Sequence, residues 1–179
     1  MNNETINSIL KRRSIRKYQD KQISKAEIDI IIKCGQYAPS GMNRQPWQFI
    51  AVQDPKLLKT IANKYYEYHK AKGSSWCQKE NYNVFYGAPT VIFIARDKNN
   101  EMAYFDACCA TENIVIAAQA LGLGSCIMID PIATIMENKK LQELLMIKEN
   151  YVLHIAITLG YAAEKSRAKT VKTDNVVNL

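Results

Sequence analysis

Two short clusters of cationic side chains, one near each end of the sequence, contain a hydroxyl beside guanidinium or ammonium groups. They are residues 12–16 (RRSIR) and residues 165–167 (KSR). A phosphate monoester carries two negative charges and is bound well by several such donors together with a hydroxyl. Each cluster taken alone is also typical of a solvated helix end or turn. Together they indicate a phosphate site.

A third segment, residues 38–47 (APSGMNRQPW), combines hydrogen-bonding side chains with a glycine between two prolines. Ser40 and Asn43 offer polar side chains, and Gly41 permits close approach of the backbone to a ligand. The segment therefore suits a flat heterocycle that accepts and donates hydrogen bonds. A plain connection between a helix and a strand is the alternative interpretation.

Composition limits the function classes. The chain has 179 residues, of which 47% are hydrophobic and 23% charged, which is ordinary for one soluble globular domain spanning residues 1–179. The net charge of +7 would suit nucleic acid, but the clusters are short and the other cations are dispersed over predicted helices. We therefore expect no nucleic-acid partner and assign part of the charge to the phosphate site.

We expect neither a membrane-spanning segment nor a zinc site. The N-terminus has no apolar run, so no signal peptide is predicted, and the longest apolar stretch, near residues 114–123, is too short to cross a bilayer. The five cysteines are odd in number and lack framework spacing, which favours a reducing cytoplasm. With two histidines and no C-x-x-C pair, a zinc site is not predicted.

The elements that position these segments follow from hydrophobic periodicity and capping signals. Helices are predicted at residues 4–11, from the N-cap Ser24 to about 36, 55–68, 102–121, 131–137 and 138–145. Strands are predicted at residues 48–52, 90–95, 125–129 and 152–159. Residues 71–86 show no clean periodicity and receive no assignment. The order predicts an α+β fold with a mixed, mostly antiparallel sheet flanked by helices and a long buried central helix.

The cation clusters, the 38–47 segment and residues 120–124 (ALGLG), in this order, resemble the motifs of the FMN-dependent nitroreductase family. The resemblance spans about residues 6 to 168, and residues 39–47 carry its most specific part. It implies a nitroreductase-like fold and an intertwined homodimer with FMN at the subunit interface. The tail, about residues 168–179, would then extend onto the partner subunit.

The resemblance also implies roles for the cations. Arg12, Arg13 and Ser14 would hold the FMN phosphate and ribityl chain, and Lys165 and Arg167 would complete the phosphate grip. Arg16 falls where the family places a cation near the N1/O2 edge of the flavin. A fixed cation there stabilises the negative charge of reduced flavin.

The remaining implied contacts are with the flavin ring. Pro39, Ser40, Gly41 and Asn43 would reach it from the partner subunit. Met128 and Ile129 match the segment that meets the ring edge and N5. Polar contacts before the central strand fall within residues 80–83, where Asn81 and Asn83 are the candidates.

The implied activity is an FMN-dependent oxidoreductase that takes hydride from NADH or NADPH. A ping-pong cycle through flavin N5 would reduce nitroaromatics, quinones or similar electrophilic small-molecule acceptors. No side chain is expected to act as acid or base, because the cofactor carries the chemistry. A dehalogenase-like or flavin-modifying member of the same fold and a non-catalytic flavin-binding protein are the alternatives.

Two further features receive structural interpretations. His154 falls inside a predicted central strand and is expected to be a core histidine with its hydrogen bonds satisfied. Cys108 and Cys109 are adjacent on a predicted helix, so their side chains point in different directions.

Overall fold

The fold is built from six helices and four strands in the part of the chain that the computed structural model describes, which is residues 3–75, 82–166, 168–172 and 174–177. In chain order they are α1 (Glu4–Lys11), α2 (Lys25–Gln36), β1 (Trp47–Val52), α3 (Pro55–Ala71), β2 (Thr90–Asp97), α4 (Ala103–Ala120), β3 (Gly124–Met128), α5 (Asp130–Met136), α6 (Lys139–Leu144) and β4 (Tyr151–Gly160). Each predicted helix and strand is present, and the bounds differ by three residues at most.

The four strands form one sheet in the order β1-β2-β4-β3, and every neighbouring pair is antiparallel. A single parallel bridge joins Ser14 to Ser125 beside this sheet. The predicted α+β class is confirmed. Within the described residues, no helix has the length and apolar character needed to cross a membrane.

Two hydrophobic layers cover the faces of the sheet. Along β2, Val91 and Phe93 point into a layer with α3, α5 and α6, whereas Ile92 and Ile94 point into a layer with α2 and α4. This alternation explains why the strand is apolar at every position, since each of its faces is buried.

Helix α4 lies against the sheet along one side only. Ala107, Ala110 and Ile114 are buried in the core, but Phe105 is 61% exposed on the outer side and Cys109 is exposed beside it. An apolar outer strip on a core helix is typical of a surface that another protein covers.

The start of α2 follows its sequence signals closely. The Ser24 side chain accepts from the backbone N–H of Glu27, and the Glu27 carboxylate accepts from the backbone N–H of Ser24 at 2.7 Å. The Ser24 hydroxyl also donates to this carboxylate at 2.6 Å, and the hydrogen bonds from the hydroxyl and then from the backbone of Ser24 lower the pKa of Glu27. The capping box therefore sets the position of α2, and with it the start of the 38–47 segment.

Gly124, the first residue of β3, has no room for a side chain. A Cβ atom built on it would lie 2.9 Å from Cβ and Cγ1 of Ile15, which is itself buried. Real Cβ contacts are longer than this. The glycine therefore lets the polypeptide that follows α1 lie directly on the end of the sheet.

We predict that Gly124→Ala lowers the free energy of unfolding by about 1–3 kcal/mol, because the added methyl group overpacks the contact with Ile15. Chemical denaturation would measure the change. Ile15→Ala is destabilising alone, but it removes the clashing Cγ atoms and leaves only the contact with Cβ, so the double variant should be more stable than the sum of the single effects predicts. Strict additivity would contradict this account of the glycine.

Candidate functional site

Residues 13–19 run along the end of the sheet where β3 begins and β4 ends. The backbone N–H of Ile15 donates to the carbonyl of Ser125 at 2.9 Å, and that of Gln19 donates to the carbonyl of Tyr161 at 2.9 Å. The first cation cluster therefore lies beside the chain that leaves β4. That chain carries the second cluster, so the two meet although about 150 positions separate them.

The Tyr18 side chain links this segment to β4 through hydrogen bonds. Its hydroxyl donates to the carbonyl of Ile15 at 2.7 Å and lies 2.8 Å from the hydroxyl of Thr158 on β4. Burial raises the pKa of Tyr18, so the phenol stays protonated at neutral pH and remains a donor. The segment is therefore fixed by side-chain as well as backbone hydrogen bonds.

The two clusters line a common cavity of about 480 Å³. The residues around it are Arg13, Ser14, Arg16, Glu164, Lys165, Ser166, Ala168 and Lys169. Among the described residues, four cationic side chains, two hydroxyls and one carboxylate thus surround the space. This set of donors fits a phosphate monoester, which needs both charge and hydrogen-bond donors.

Arg13 is held in place by the end of α1. Its guanidinium donates to the carbonyl oxygens of Leu10 and Arg12, each at 2.7 Å. Such carbonyls at a helix C-terminus lack partners inside the helix, and a cation suits that end of the helix dipole. Arg12 itself ends α1 and is not among the residues that line the cavity. Arg167, the other predicted phosphate ligand, lies outside the described residues.

Arg16 has partners that the sequence did not reveal. Its backbone N–H donates to the Glu164 carboxylate at 2.6 Å, and its guanidinium lies 5.8 Å from the ring centroid of Tyr86. Glu164 directly precedes the second cluster in the sequence, so its position next to that cluster could have been predicted. Tyr86 comes from a stretch without periodicity, so no local pattern singled it out.

Cys126 on β3 carries a buried thiol near Arg16. Burial raises the pKa of this thiol, and Arg16 opposes the change only in part. The thiol is therefore neutral at neutral pH, and its role is to pack β3 against the core.

The 38–47 segment forms a compact loop between α2 and β1. Gly41–Asn43 make a short 3-10 turn, and Met42, Asn43 and Gln45 adopt left-handed conformations with φ of 52°, 54° and 48°. The Ser40 hydroxyl accepts from the backbone N–H of Gln45 at 3.0 Å. That hydroxyl oxygen therefore holds the loop together, while its proton can still be donated to a ligand.

Within one chain, this loop and the cation cavity lie at opposite ends of α4. Gly41 is hydrogen-bonded to Asp106 in the first turn of α4, whereas Ser14 bridges Ser125 just after the last turn. The helix rises about 20 Å between Asp106 and Ala120. Pro39, Ser40, Gly41 and Asn43 are thus not brought together with the phosphate candidates of the same chain.

Of the two predicted ring contacts, Met128 and Ile129, only Ile129 has an exposed side chain. Ile129 is 69% exposed and begins α5, but the side chain of Met128 is buried among the core residues. The side chain of Met128 therefore packs in the core and does not provide the predicted ring contact. Asn83 uses its side-chain oxygen to accept from the backbone N–H of Phe85 at 2.8 Å, and Asn81 lies outside the described residues.

His154 is half-buried on β4 rather than enclosed in the core. Its Nε2 lies 3.5 Å from the Cys108 sulfur, and its ring centroid lies 4.4 Å from that of Tyr104. Burial, followed by the charge of Arg96, lowers the pKa of His154, so the imidazole is neutral at neutral pH. This group lies near the start of β4, away from the cation cavity.

Comparison with known proteins gives the same family as the motifs. The sequence model of the Nitroreductase family matches residues 9–161. An FMN-dependent nitroreductase from Clostridium difficile is 34% identical, with a TM-score of 0.88 and all of both chains covered. A nitroreductase with bound FMN from Bacteroides fragilis is 29% identical, with a TM-score of 0.90, over 99% of this chain and 100% of that one.

A curated relative has a named activity. An FMN reductase (NAD(P)H) from Bacillus subtilis is 28% identical over 98% of this chain and 73% of its own length. Family match, fold and motif order agree over nearly all of the sequence, and the resemblance seen in the motifs is confirmed. The chain belongs to the nitroreductase family.

Proposed function

We propose that this protein is an FMN-dependent NAD(P)H oxidoreductase that reduces nitroaromatics, quinones or similar electrophilic acceptors. The observation that carries the proposal is the cavity in which four cations and two hydroxyls from the two ends of the chain converge. Relatives with bound FMN and a relative named as an NAD(P)H-dependent FMN reductase support the cofactor and the electron donor.

In this proposal the phosphate of FMN occupies the cation cavity. Arg13 and Lys165 supply charge, and Ser14 supplies a hydroxyl donor. Arg13 is already oriented by two carbonyls of α1, so little side-chain entropy is lost when it binds an anion. Arg12 and Arg167 remain predicted phosphate ligands on the strength of the family motif.

When bound, FMN supplies hydride transfer between NAD(P)H and the acceptor. The protein holds Arg16 beside the cavity through the hydrogen bond of its backbone to Glu164. If FMN binds there, the guanidinium of Arg16 would stabilise negative charge on the reduced flavin and so favour the reduced cofactor. The other side chains bind and orient, and no acid or base is assigned among them.

We place the flavin ring between two copies of the chain. The 38–47 loop is too far along α4 to join the cavity of its own chain, so Pro39, Ser40, Gly41 and Asn43 would serve the cavity of a partner. Exposed apolar side chains continue from α1 along α4 and give the partner a surface to cover. They include Ile6, Ile9, Leu10, Met102, Tyr104 and Phe105.

The tail supports the same assembly. Val171, Val176 and Val177 are all strongly exposed, which is unfavourable for apolar side chains in an isolated chain. A partner surface would bury them, as proposed for residues 168–179. The described cysteines are free thiols, which agrees with the cytoplasm as the proposed location.

We predict that purified protein saturated with FMN loses its yellow absorbance when NADH or NADPH is added without oxygen, and regains it when a quinone is added. Flavin reduction by the nicotinamide and reoxidation by the acceptor give this result. Stopped-flow absorbance measures both half-reactions. Persistent colour with both nicotinamides would identify a non-catalytic flavin-binding protein, and release of halide from a halophenol would favour the dehalogenase alternative.

We predict that Arg13→Ala and Lys165→Ala each raise the dissociation constant for FMN about tenfold to a hundredfold, because each removes a charge-assisted hydrogen bond to phosphate. Quenching of flavin fluorescence measures the constant. Lys17→Ala is the matched control, because Lys17 is exposed in the same segment but does not line the cavity. Equal weakening by all three variants would indicate a general charge effect and would contradict the phosphate assignment.

We predict that Phe105→Glu converts a dimer into a monomer and lowers FMN content by roughly tenfold or more, since it places a charge in the proposed interface. Analytical ultracentrifugation gives the mass, and absorbance gives the flavin content. Leu144→Glu is the control, because Leu144 is exposed on α6 across the sheet from α4. A wild-type monomer that retains FMN would rule out the two-subunit site.

A further inference from the structure

The 38–47 loop holds a conformation that its own sequence does not favour. Three of its residues that are not glycine have positive φ, namely Met42, Asn43 and Gln45. Asn43 tolerates this region, but Met42 and Gln45 each cost about 1 kcal/mol or more there and persist only when surrounding structure holds them. Bonds inside the loop, such as that from the Gln45 side chain to Asn43 at 3.0 Å, hold its shape but not its place on the protein.

The carboxylate of Asp106 connects the loop to α4. The backbone N–H of Gly41 donates to Oδ1 of Asp106 at 3.1 Å, although 65 positions separate the two residues. Gly41 begins the 3-10 turn, so its position sets the direction of the turn that follows. The hydrogen bond therefore acts at the base of the strained part of the loop.

Asp106 is an unusual residue for its place in the core. It is 5% exposed, and its second carboxylate oxygen has no hydrogen-bond partner among the described residues. Burying a charge is unfavourable unless it is paired or hydrogen-bonded. The first turn of α4 lessens that penalty, because the helix N-terminus favours an anion and α4 has no side-chain N-cap.

From these contacts we infer that Asp106 is a positioning residue for the flavin site. Its carboxylate anchors Gly41 so that Ser40, Gly41 and Asn43 are presented outward in a fixed arrangement to the flavin bound across the dimer. Asp106 touches neither cofactor nor substrate and acts through the loop. The inference rests on the proposed function, since it assigns a purpose to the loop in FMN binding.

The test compares Asp106→Ala with Asp106→Asn, which retains an oxygen acceptor for Gly41. Hydrogen exchange of the peptide containing Gly41 in full-length protein reports the anchor without needing FMN. Fluorescence titration gives the dissociation constant for FMN. We expect Asp106→Ala to speed exchange at Gly41 and to raise the FMN dissociation constant about tenfold, the effect of one lost hydrogen bond to a charged group. We expect Asp106→Asn to restore most of the affinity.

Thr111→Val is the matched control for a general loss of stability. Thr111 is buried on the same helix, and its hydroxyl donates to the Ala107 carbonyl at 2.8 Å, away from the loop. We expect it to lower the free energy of unfolding without changing FMN affinity. If Asp106→Ala fails to fold, Gly41→Pro removes the donor from the other side, and Ser40 already has the extended backbone that a following proline requires.

The outcomes separate this inference from the function on which it rests. Unchanged exchange at Gly41 in Asp106→Ala, or faster exchange there with unchanged FMN affinity, would overturn the positioning role alone. Unchanged FMN affinity in Gly41→Pro, which has no amide hydrogen at position 41, would overturn it as well. Equal loss of affinity in Thr111→Val would also overturn it, because the effect would then be one of stability. A wild-type protein that does not bind FMN would overturn the proposed function and this role together.

Discussion

The site depends on one packing constraint, the fit of Ile15 against Gly124. Because β3 begins with a residue that has no side chain, the polypeptide after α1 can lie flat on the end of the sheet and bond to Ser125. That course brings the first cation cluster to the chain leaving β4. Hydrogen bonds between residues 17–19 and residues 161–163 then keep the two clusters at one cavity.

Electrostatics then gives the cavity its chemical character. Four cations close together repel one another, and Glu164 offsets only part of that repulsion. A dianion bound there, as proposed, would relieve the rest and gain charge-assisted hydrogen bonds. Binding would then recover the free energy that repulsion among the cations costs the site, and part of the net charge of +7 would serve the phosphate site.

Much of this could be predicted from the sequence, because the signals were local. The capping box of Ser24 and Glu27, the doubly buried β2 and the cation clusters each arise from neighbouring residues. Met128 and Tyr86 could not be placed in this way. The burial of Met128 depends on which face of β3 packs on the core, and Tyr86 approaches Arg16 only through the fold. Their roles are consequences of tertiary structure.

The contact of Asp106 with the loop could not be predicted from the sequence either. The sequence shows a carboxylate within an apolar helix, but it does not show which group hydrogen-bonds to that carboxylate. The partner is the backbone N–H of residue 41, which any residue except proline would provide. Helix α4 links the two halves of the proposed site, because its first turn holds the loop and its far end leads into β3. In a two-fold assembly, a rigid helix of this length fixes how far one subunit's loop stands from the other subunit's cavity. The loop would supply the ring contacts and the cavity the phosphate contacts. The distance between them would then depend on how the two α4 helices pair across the interface, so it is a property of the dimer and not of the single chain.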